Sequence, residues 1–267
     1  MAKRAKETWE SGDAYEKYVG RWSRPVAREF LSWLNLGPGL KWGDVGCGTG
    51  ALTESILAGS DPASIIAIDR SEGFLNTARL RITDPRVKFN PGDATALVWA
   101  AHSCDAAVSG LVLNFIQDPK VMAAEMVRVT RPGGTVGVYV WDYRGGMQML
   151  RHFWDVAVQI NPHISTLDQA ERFPICQPEP LKTLFREAGL QSVFVRAIEV
   201  PTIFRDFEDY WTPFLGKQGP APTYLAGLDA AARNRIRDTL KDRLAAAPDG
   251  SIALTAKAWA VKGIVPG

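Results

Sequence analysis

The sequence predicts an α/β fold: a mostly parallel sheet with helices on both faces and a small helical cap. Three observations carry this. Between about 41 and 141 short apolar runs alternate with helical patterns, the rhythm of strand–helix–strand units. The run Trp42-Gly43-Asp44-Val45-Gly46-Cys47-Gly48-Thr49-Gly50 reads as a buried strand entering a glycine turn, with a helix opening at Ala51. Two stretches, 142–178 and 201–250, break the alternation and are too long for bare connections, so they are assigned to a cap.

The elements follow in order. The first strand covers 40–45, and the helix 51–59 is closed by Gly59. A second strand, 64–68, ends at Asp69. Ser71 caps a helix to about Arg81, with Leu75, Ala78 and Ile82 on one face. The third strand is short, 86–89, and Gly92-Asp93-Ala94 follows it. The fourth strand is 105–109, and a helix spans 119–130. Arg131-Pro132-Gly133-Gly134 reads as a tight turn into the fifth strand, 135–141. Beyond it come a helix at 181–188 stopped by Gly189, a strand at 192–200, and a helical stretch at 207–214 broken by Pro213. A basic amphipathic helix at 230–246 and a final strand at 252–261 complete the chain. The expected domains are lid helices at 1–40, a ligand-binding core at 41–141, a cap insertion at 142–178, and a return to the sheet at 179–267 with a second insertion near 201–250.

Composition narrows the class. With 267 residues, 46% of them hydrophobic and 22% charged, the chain can bury one large core. A formal net charge of +2 from scattered basic residues gives no stripe for nucleic acid. Residues 1–10 are polar and basic with no apolar stretch, and no window holds 18 uninterrupted apolar residues. Neither a signal peptide nor a membrane span is expected. Cys47, Cys104 and Cys176 lack paired spacing, which fits neither a disulfide framework nor a zinc site. A cytoplasmic protein without a metal is expected, and the oligomeric state is not legible.

The candidate site lies where ligands bind in open α/β sheets, outside the carboxyl ends of the strands. Gly46, Gly48 and Gly50 leave room for a ligand against bare main chain, and the following helix aims its N–H groups there. Gly46-x-Gly48-x-x-Ala51 also satisfies a loose dinucleotide pattern. Asp44, however, repels a pyrophosphate and attracts an ammonium, so a zwitterionic amino-acid group fits better. Asp44, Asp69 and Asp93 stand at three consecutive strand ends. The spacing from Gly50 to Asp69 suits a carboxylate that accepts both hydroxyls of a ribose, although any one of these acids could equally be a solvated loop or a helix cap.

Asp44-Val45-Gly46-Cys47-Gly48-Thr49-Gly50 resembles the nucleotide-binding motif of class I S-adenosylmethionine-dependent methyltransferases. Leu113-Asn114-Phe115-Ile116-Gln117-Asp118-Pro119 is similar to the family's segment after the fourth strand. Arg131-Pro132-Gly133-Gly134 is similar to its turn before the fifth. The resemblance implies a Rossmann-like seven-stranded sheet and S-adenosyl-L-methionine as cofactor. It implies that Asp44 holds the methionine ammonium, partly through water, within the turn Gly46, Cys47, Gly48, Thr49 and Gly50. Asp69 would chelate the ribose, Arg70 and Ser71 would line the adenosine pocket, and Asp93 with Ala94 would read the adenine amino group. Ser109, Gly110 and Leu111 would lie beside the methionine chain. Residues 15–25 and the helix after them resemble the opening helix of the UbiE-like and trans-aconitate methyltransferase groups. There Arg24 would face the methionine carboxylate, while Tyr15, Tyr18 and Trp22 would close the pocket or anchor the helix.

The acceptor side is less defined. Tyr18, Trp22, Tyr143 and Trp211 are substrate-binding candidates within an aromatic-rich cap, which implies a small, mainly apolar organic acceptor. Methyl transfer by in-line displacement needs alignment, and needs a base only when the nucleophile must lose a proton early. His152 and His163 are weak candidates for that base, since a packing or surface histidine is more common. Cys47 at a helix start invites a nucleophile, but a small residue filling the motif is the simpler reading. Three other functions stay open: methylation of a macromolecule, a methyltransferase-like binding module that transfers nothing, and a nicotinamide-dependent oxidoreductase.

Overall fold

The computed structural model describes residues 16–216 and 219–267. Seven strands form one sheet in the order β3-β2-β1-β4-β5-β7-β6. They are β1 (Lys41–Val45), β2 (Ser64–Asp69), β3 (Val87–Pro91), β4 (Cys104–Gly110), β5 (Thr130–Trp141), β6 (Gln191–Phe204) and β7 (Ile252–Ile264). β1 pairs in parallel with β2 and β4, β2 with β3, and β4 with β5, whereas β7 runs antiparallel to β5. The chain therefore builds outward from β1 to β3 and then returns to lay β4 on the other side of β1. That reversal opens a crevice at the carboxyl ends of β1 and β4.

Central strands are apolar on both faces because helices cover both sides. Trp42, Val45, Ile65, Ala106, Val108, Val136 and Val138 are all buried. The helices start and stop where local chemistry directs. Glu72–Arg81 begins at Ser71, whose hydroxyl accepts the Phe74 N–H at 3.3 Å. Pro119–Val129 begins at Asp118, whose carboxylate accepts the Lys120 N–H at 3.0 Å. Pro178–Glu187 stops at Gly189 (φ 85°), with Gly189 and Leu190 donating back to the Arg186 and Phe185 carbonyls.

Two expectations need correction. Arg131-Pro132-Gly133-Gly134 is a bulge inside β5 rather than a turn ahead of it. Pairing steps from Cys104↔Thr130 to Ala106↔Thr135, two positions on β4 against five on β5. The sixth strand also runs on through Pro201 to Phe204. As the last strand of the sheet, β6 tolerates a residue without an N–H.

The chain divides into two compact units. One comprises Ser23–Trp141, Ile175–Ile198 and Ala258–Gly267, and holds most of the sheet. The other comprises Asp142–Pro174, Glu199–Lys257 and, at the start of the described residues, 16–22. Its core is aromatic: Phe153 stacks on Phe214 at 4.7 Å, and the Tyr210 hydroxyl donates to the Met149 carbonyl at 2.9 Å. No helix among the described residues is long and apolar enough to cross a membrane.

Candidate functional site

The glycine turn is fastened to the end of β2. Gly46 and Cys47 both donate their N–H to the Ile68 carbonyl at 2.8 Å. Gly46 (φ 77°) needs glycine twice, since the backbone is left-handed and a Cβ there would lie 2.6 Å from Val112 Cγ2. Gly48 (φ 54°) differs, because a Cβ there would meet only Phe74 Cδ2, 4.0 Å away. Its face is open, the cradle that a ligand lying on bare main chain requires. Gly46→Ala is expected to destabilise the protein by about 2–4 kcal/mol, from left-handed strain plus overpacking. Thermal unfolding checks this, with a Tm lowered by about 5–10 °C expected.

Asp69, at the tip of β2, organises the turn. Oδ2 accepts the Gly48 N–H at 2.9 Å and Oδ1 accepts the Ser71 N–H at 2.8 Å. One carboxylate thus joins the glycine cradle to the next helix start. Burial pushes its pKa up, against the opposing pull of those N–H groups and of Arg70. The Asp69 carbonyl also accepts the Gly92 N–H at 3.1 Å, which holds the end of β3 beside it. Asp93 is exposed, its Oδ1 accepting the Thr95 N–H at 2.8 Å and the Thr95 hydroxyl at 2.7 Å. Those bonds hold the Asp93 carboxyl below its ordinary pKa. Ala94 is buried next to it, and the exposed Arg70 places a positive charge near both acids.

Asp44 is wholly buried. Thr53, in the helix Ala51–Gly59, donates its hydroxyl to Oδ2 at 2.6 Å, while Oδ1 has no partner among the described residues. Burial pushes the carboxyl up to about 7, and the charge of Asp69 adds to the rise. Burial and the two neighbouring acids likewise push the Cys47 thiol well up, which removes its nucleophilic character. Alkylation by iodoacetamide at neutral pH is expected to be far slower in native protein than in urea. Mass spectrometry of the Cys47 peptide checks it.

Across the crevice, the Ser109 hydroxyl donates to the Val45 carbonyl at 2.6 Å and locks β4 onto β1. Glycine is needed at 110 because a Cβ would run into the Tyr139 ring. Leu111 follows with φ 64°, unusual for a bulky residue, and its N–H donates to the Tyr139 carbonyl at 2.8 Å. Thr49 and Gly50 are buried at the head of the helix Ala51–Gly59. Arg24 reaches the same helix, its Nε 2.6 Å from Glu54 Oε2. The structure therefore gathers Arg24, Asp44, Gly46 to Gly50, Asp69 to Ser71, Asp93, Ala94 and Ser109 to Leu111 within one unit.

The remaining candidates lie in the other unit. Tyr18 packs edge-on against Phe214 at 5.7 Å and Trp22 edge-on against Phe204 at 5.7 Å. Tyr143 contacts Phe173 at 5.6 Å, and Trp211 stacks on Phe207 at 6.4 Å. All four are buried, so each has a packing role. His152 is half-buried, and burial followed by the Arg243 charge lowers its pKa. His163 is exposed on the turn Pro162–Leu167. Tyr15 lies outside the described residues. Asn114, named in the sequence only as part of the segment after the fourth strand, is buried in the turn Leu113–Phe115 with neither amide atom partnered among the described residues. Its burial depends on tertiary packing, so no local pattern announces it.

An adenosyl group bearing a zwitterionic amino-acid chain fits this set. The open face of Gly48 suits close approach, and the unpartnered Asp44 oxygen suits a cation. Residues 43–138 match the family described as "Methyltransferase domain". A relative named demethylmenaquinone methyltransferase, from Renibacterium salmoninarum, is 39% identical over 119 residues, which cover 44% of this chain and 46% of that protein. The matches thus span about half the length of the curated relatives. Among solved structures, phosphoethanolamine N-methyltransferase 2 of Haemonchus contortus in complex with S-adenosyl-L-methionine superposes with a TM-score of 0.61 at 17% identity, covering 96% of this chain and 57% of that one. The [4+2]-cyclase SpnF superposes with a TM-score of 0.56 at 20% identity, covering 100% and 89%. At these identities the structures show the fold alone. Residues 43–138 thus match a methyltransferase domain, and the chain shares the fold of these solved structures.

Proposed function

We propose that this protein transfers the methyl group of S-adenosylmethionine to a small, mainly apolar organic acceptor. The observation that carries the reading is the joined pair Gly48 and Asp69: an open main-chain cradle tied to a half-buried carboxylate at the next strand end. Asp69 would accept the ribose hydroxyls while still holding the turn. Asp44 Oδ1 would receive the ammonium, directly or through one water. Arg24 would face the carboxylate of the amino-acid chain, drawn from its contact with Glu54. Asp93, with Arg70, Ser71 and Ala94, would border the adenine, and Ser109 to Leu111 the methionine chain.

When bound, the cofactor supplies an electrophilic methyl carbon, whose bond to sulfur breaks as the acceptor's lone pair forms the new bond. An acceptor hydroxyl or amine would lose its proton to water or to a base. The chain contributes alignment and exclusion of water, which account for much of the barrier lowering in such displacements. A small ring acceptor is supported by the relatives named demethylmenaquinone methyltransferase.

A second reading keeps cofactor binding without transfer, because the same fold carries a protein named as a cyclase. Turnover separates the two. Purified protein with labelled S-adenosylmethionine and a panel of phenols, hydroquinones and amines should release S-adenosylhomocysteine with at least one acceptor. Tight cofactor binding with no release across the panel would favour the second reading.

A further inference from the structure

We propose that Asn114 is an acceptor-binding residue, its side-chain amide engaging a hydroxyl that stands beside a carbonyl oxygen on the methyl acceptor. This rests on the methyl-transfer reading above.

Asn114 is 7% exposed, and neither Oδ1 nor Nδ2 has a partner among the described residues. A buried primary amide with both ends unsatisfied is costly, and an apolar residue of the same shape would remove the cost. A bound ligand with a matching donor and acceptor would satisfy it. The turn Leu113–Phe115 that bears Asn114 is tied into the site. Val112, two residues earlier, sits against Gly46 of the cofactor turn, and Leu111 holds its left-handed backbone through the Tyr139 carbonyl.

Position separates acceptor from cofactor. Asp69 and Asp93, the anchors proposed for ribose and adenine, lie at the ends of β2 and β3, on one side of β1. The turn bearing Asn114 follows β4, on the other side of β1, and packs chiefly against β5 and the helix Pro119–Val129. A cofactor held as proposed above, from Asp93 to Leu111, would present its methyl end on that side. The acceptor class follows from the amide, which offers one hydrogen-bond acceptor and one donor side by side. A vicinal hydroxyl and carbonyl, as in a hydroxyquinone or a salicyl-type ring, offers the matching pair.

Asn114→Leu tests this with three measurements. In ligand-free protein Tm should rise by about 2–4 °C, since two unsatisfied atoms disappear. Calorimetry should give an S-adenosylhomocysteine Kd within about threefold of the unsubstituted protein, as expected for a residue that does not touch cofactor. In the presence of S-adenosylhomocysteine, 2-hydroxy-1,4-naphthoquinone should bind the unsubstituted protein and bind the variant at least about tenfold more weakly, one hydrogen-bonded pair's worth. A fall in Tm would make Asn114 a structural fastener. Lost S-adenosylhomocysteine binding would make it a cofactor residue, and equal quinone binding, or none to either protein, would remove the acceptor class. Each of these overturns the proposal. Absence of S-adenosylhomocysteine binding in the unsubstituted protein would instead sink the methyl-transfer reading itself.

Discussion

Asp69→Ala is expected to weaken S-adenosylhomocysteine binding by about 10–100-fold, the value of one or two hydrogen bonds to a charged group. The substitution acts twice. It removes the proposed acceptor of the ribose hydroxyls, and it orphans the Gly48 and Ser71 N–H groups that now meet the carboxylate at 2.9 and 2.8 Å. The cradle then loses the contact that fixes its shape for a ligand. Stability should suffer less than affinity, because the half-buried carboxylate is itself held at a desolvation cost that raises its pKa. Asp69→Asn should fall between, since its amide can accept only one of the two N–H groups. Calorimetric titration gives the affinities and thermal unfolding the stabilities. Equal losses in both would mean that Asp69 merely holds the fold.

Asp44→Asn should reshape the pH dependence of the protein. The Asp44 carboxyl is pushed up from 3.8 to about 7, so folding favours its protonated form. Its contribution to stability is therefore fully present below about pH 4 and is lost as pH rises through 7, at no more than about 1.4 kcal/mol per pH unit. Other acids, Asp84, Asp93 and Asp105 among them, are held low and act in the opposite sense at more acid pH. The difference between the unsubstituted protein and Asp44→Asn isolates the buried group. Urea unfolding from pH 4 to 8 should show the variant gaining relative stability as pH rises, with a plateau above 7.

Ligand binding should run the other way. An ammonium beside Oδ1 favours the ionised carboxylate, so binding expels a proton. Affinity for S-adenosylhomocysteine should rise up to about tenfold per pH unit between 5 and 7. It should fall again at alkaline pH, where the ligand's own α-amino group deprotonates. In Asp44→Asn the acid limb should shrink to what Asp69, also raised by burial, contributes. A variant with an unchanged pH profile would remove Asp44 from the site.

Much of the sheet was legible because its punctuation is local. Gly50 and Ser71 mark helix starts, and Gly189 marks a stop, each through the chemistry of a single turn. The bulge at 131–134 was not legible, because Pro-Gly-Gly suits a turn and a bulge equally. Its form is set by register against β4, where a Cβ on Gly134 would strike the Asp105 carbonyl. The strand expected to end at Val200 runs on through Pro201, which as part of the last strand interrupts no ladder on its outer side. The glycine turn and the acids at strand ends stood out because their chemistry is in the residue types. Tyr18, Trp22, Tyr143 and Trp211 did not reveal their packing, since aromatic composition is the same for a core and for a pocket wall. The segment of Asn114 stood out but its amide did not, because an unsatisfied amide is a property of its neighbours.

The measurement that bears most directly on the account is calorimetric titration of the folded protein with S-adenosylhomocysteine, with NAD in parallel. One equivalent binding with a micromolar Kd, and no heat from NAD, is the predicted result. Tighter binding of NAD, or no S-adenosylhomocysteine binding by protein shown to be folded, would contradict it.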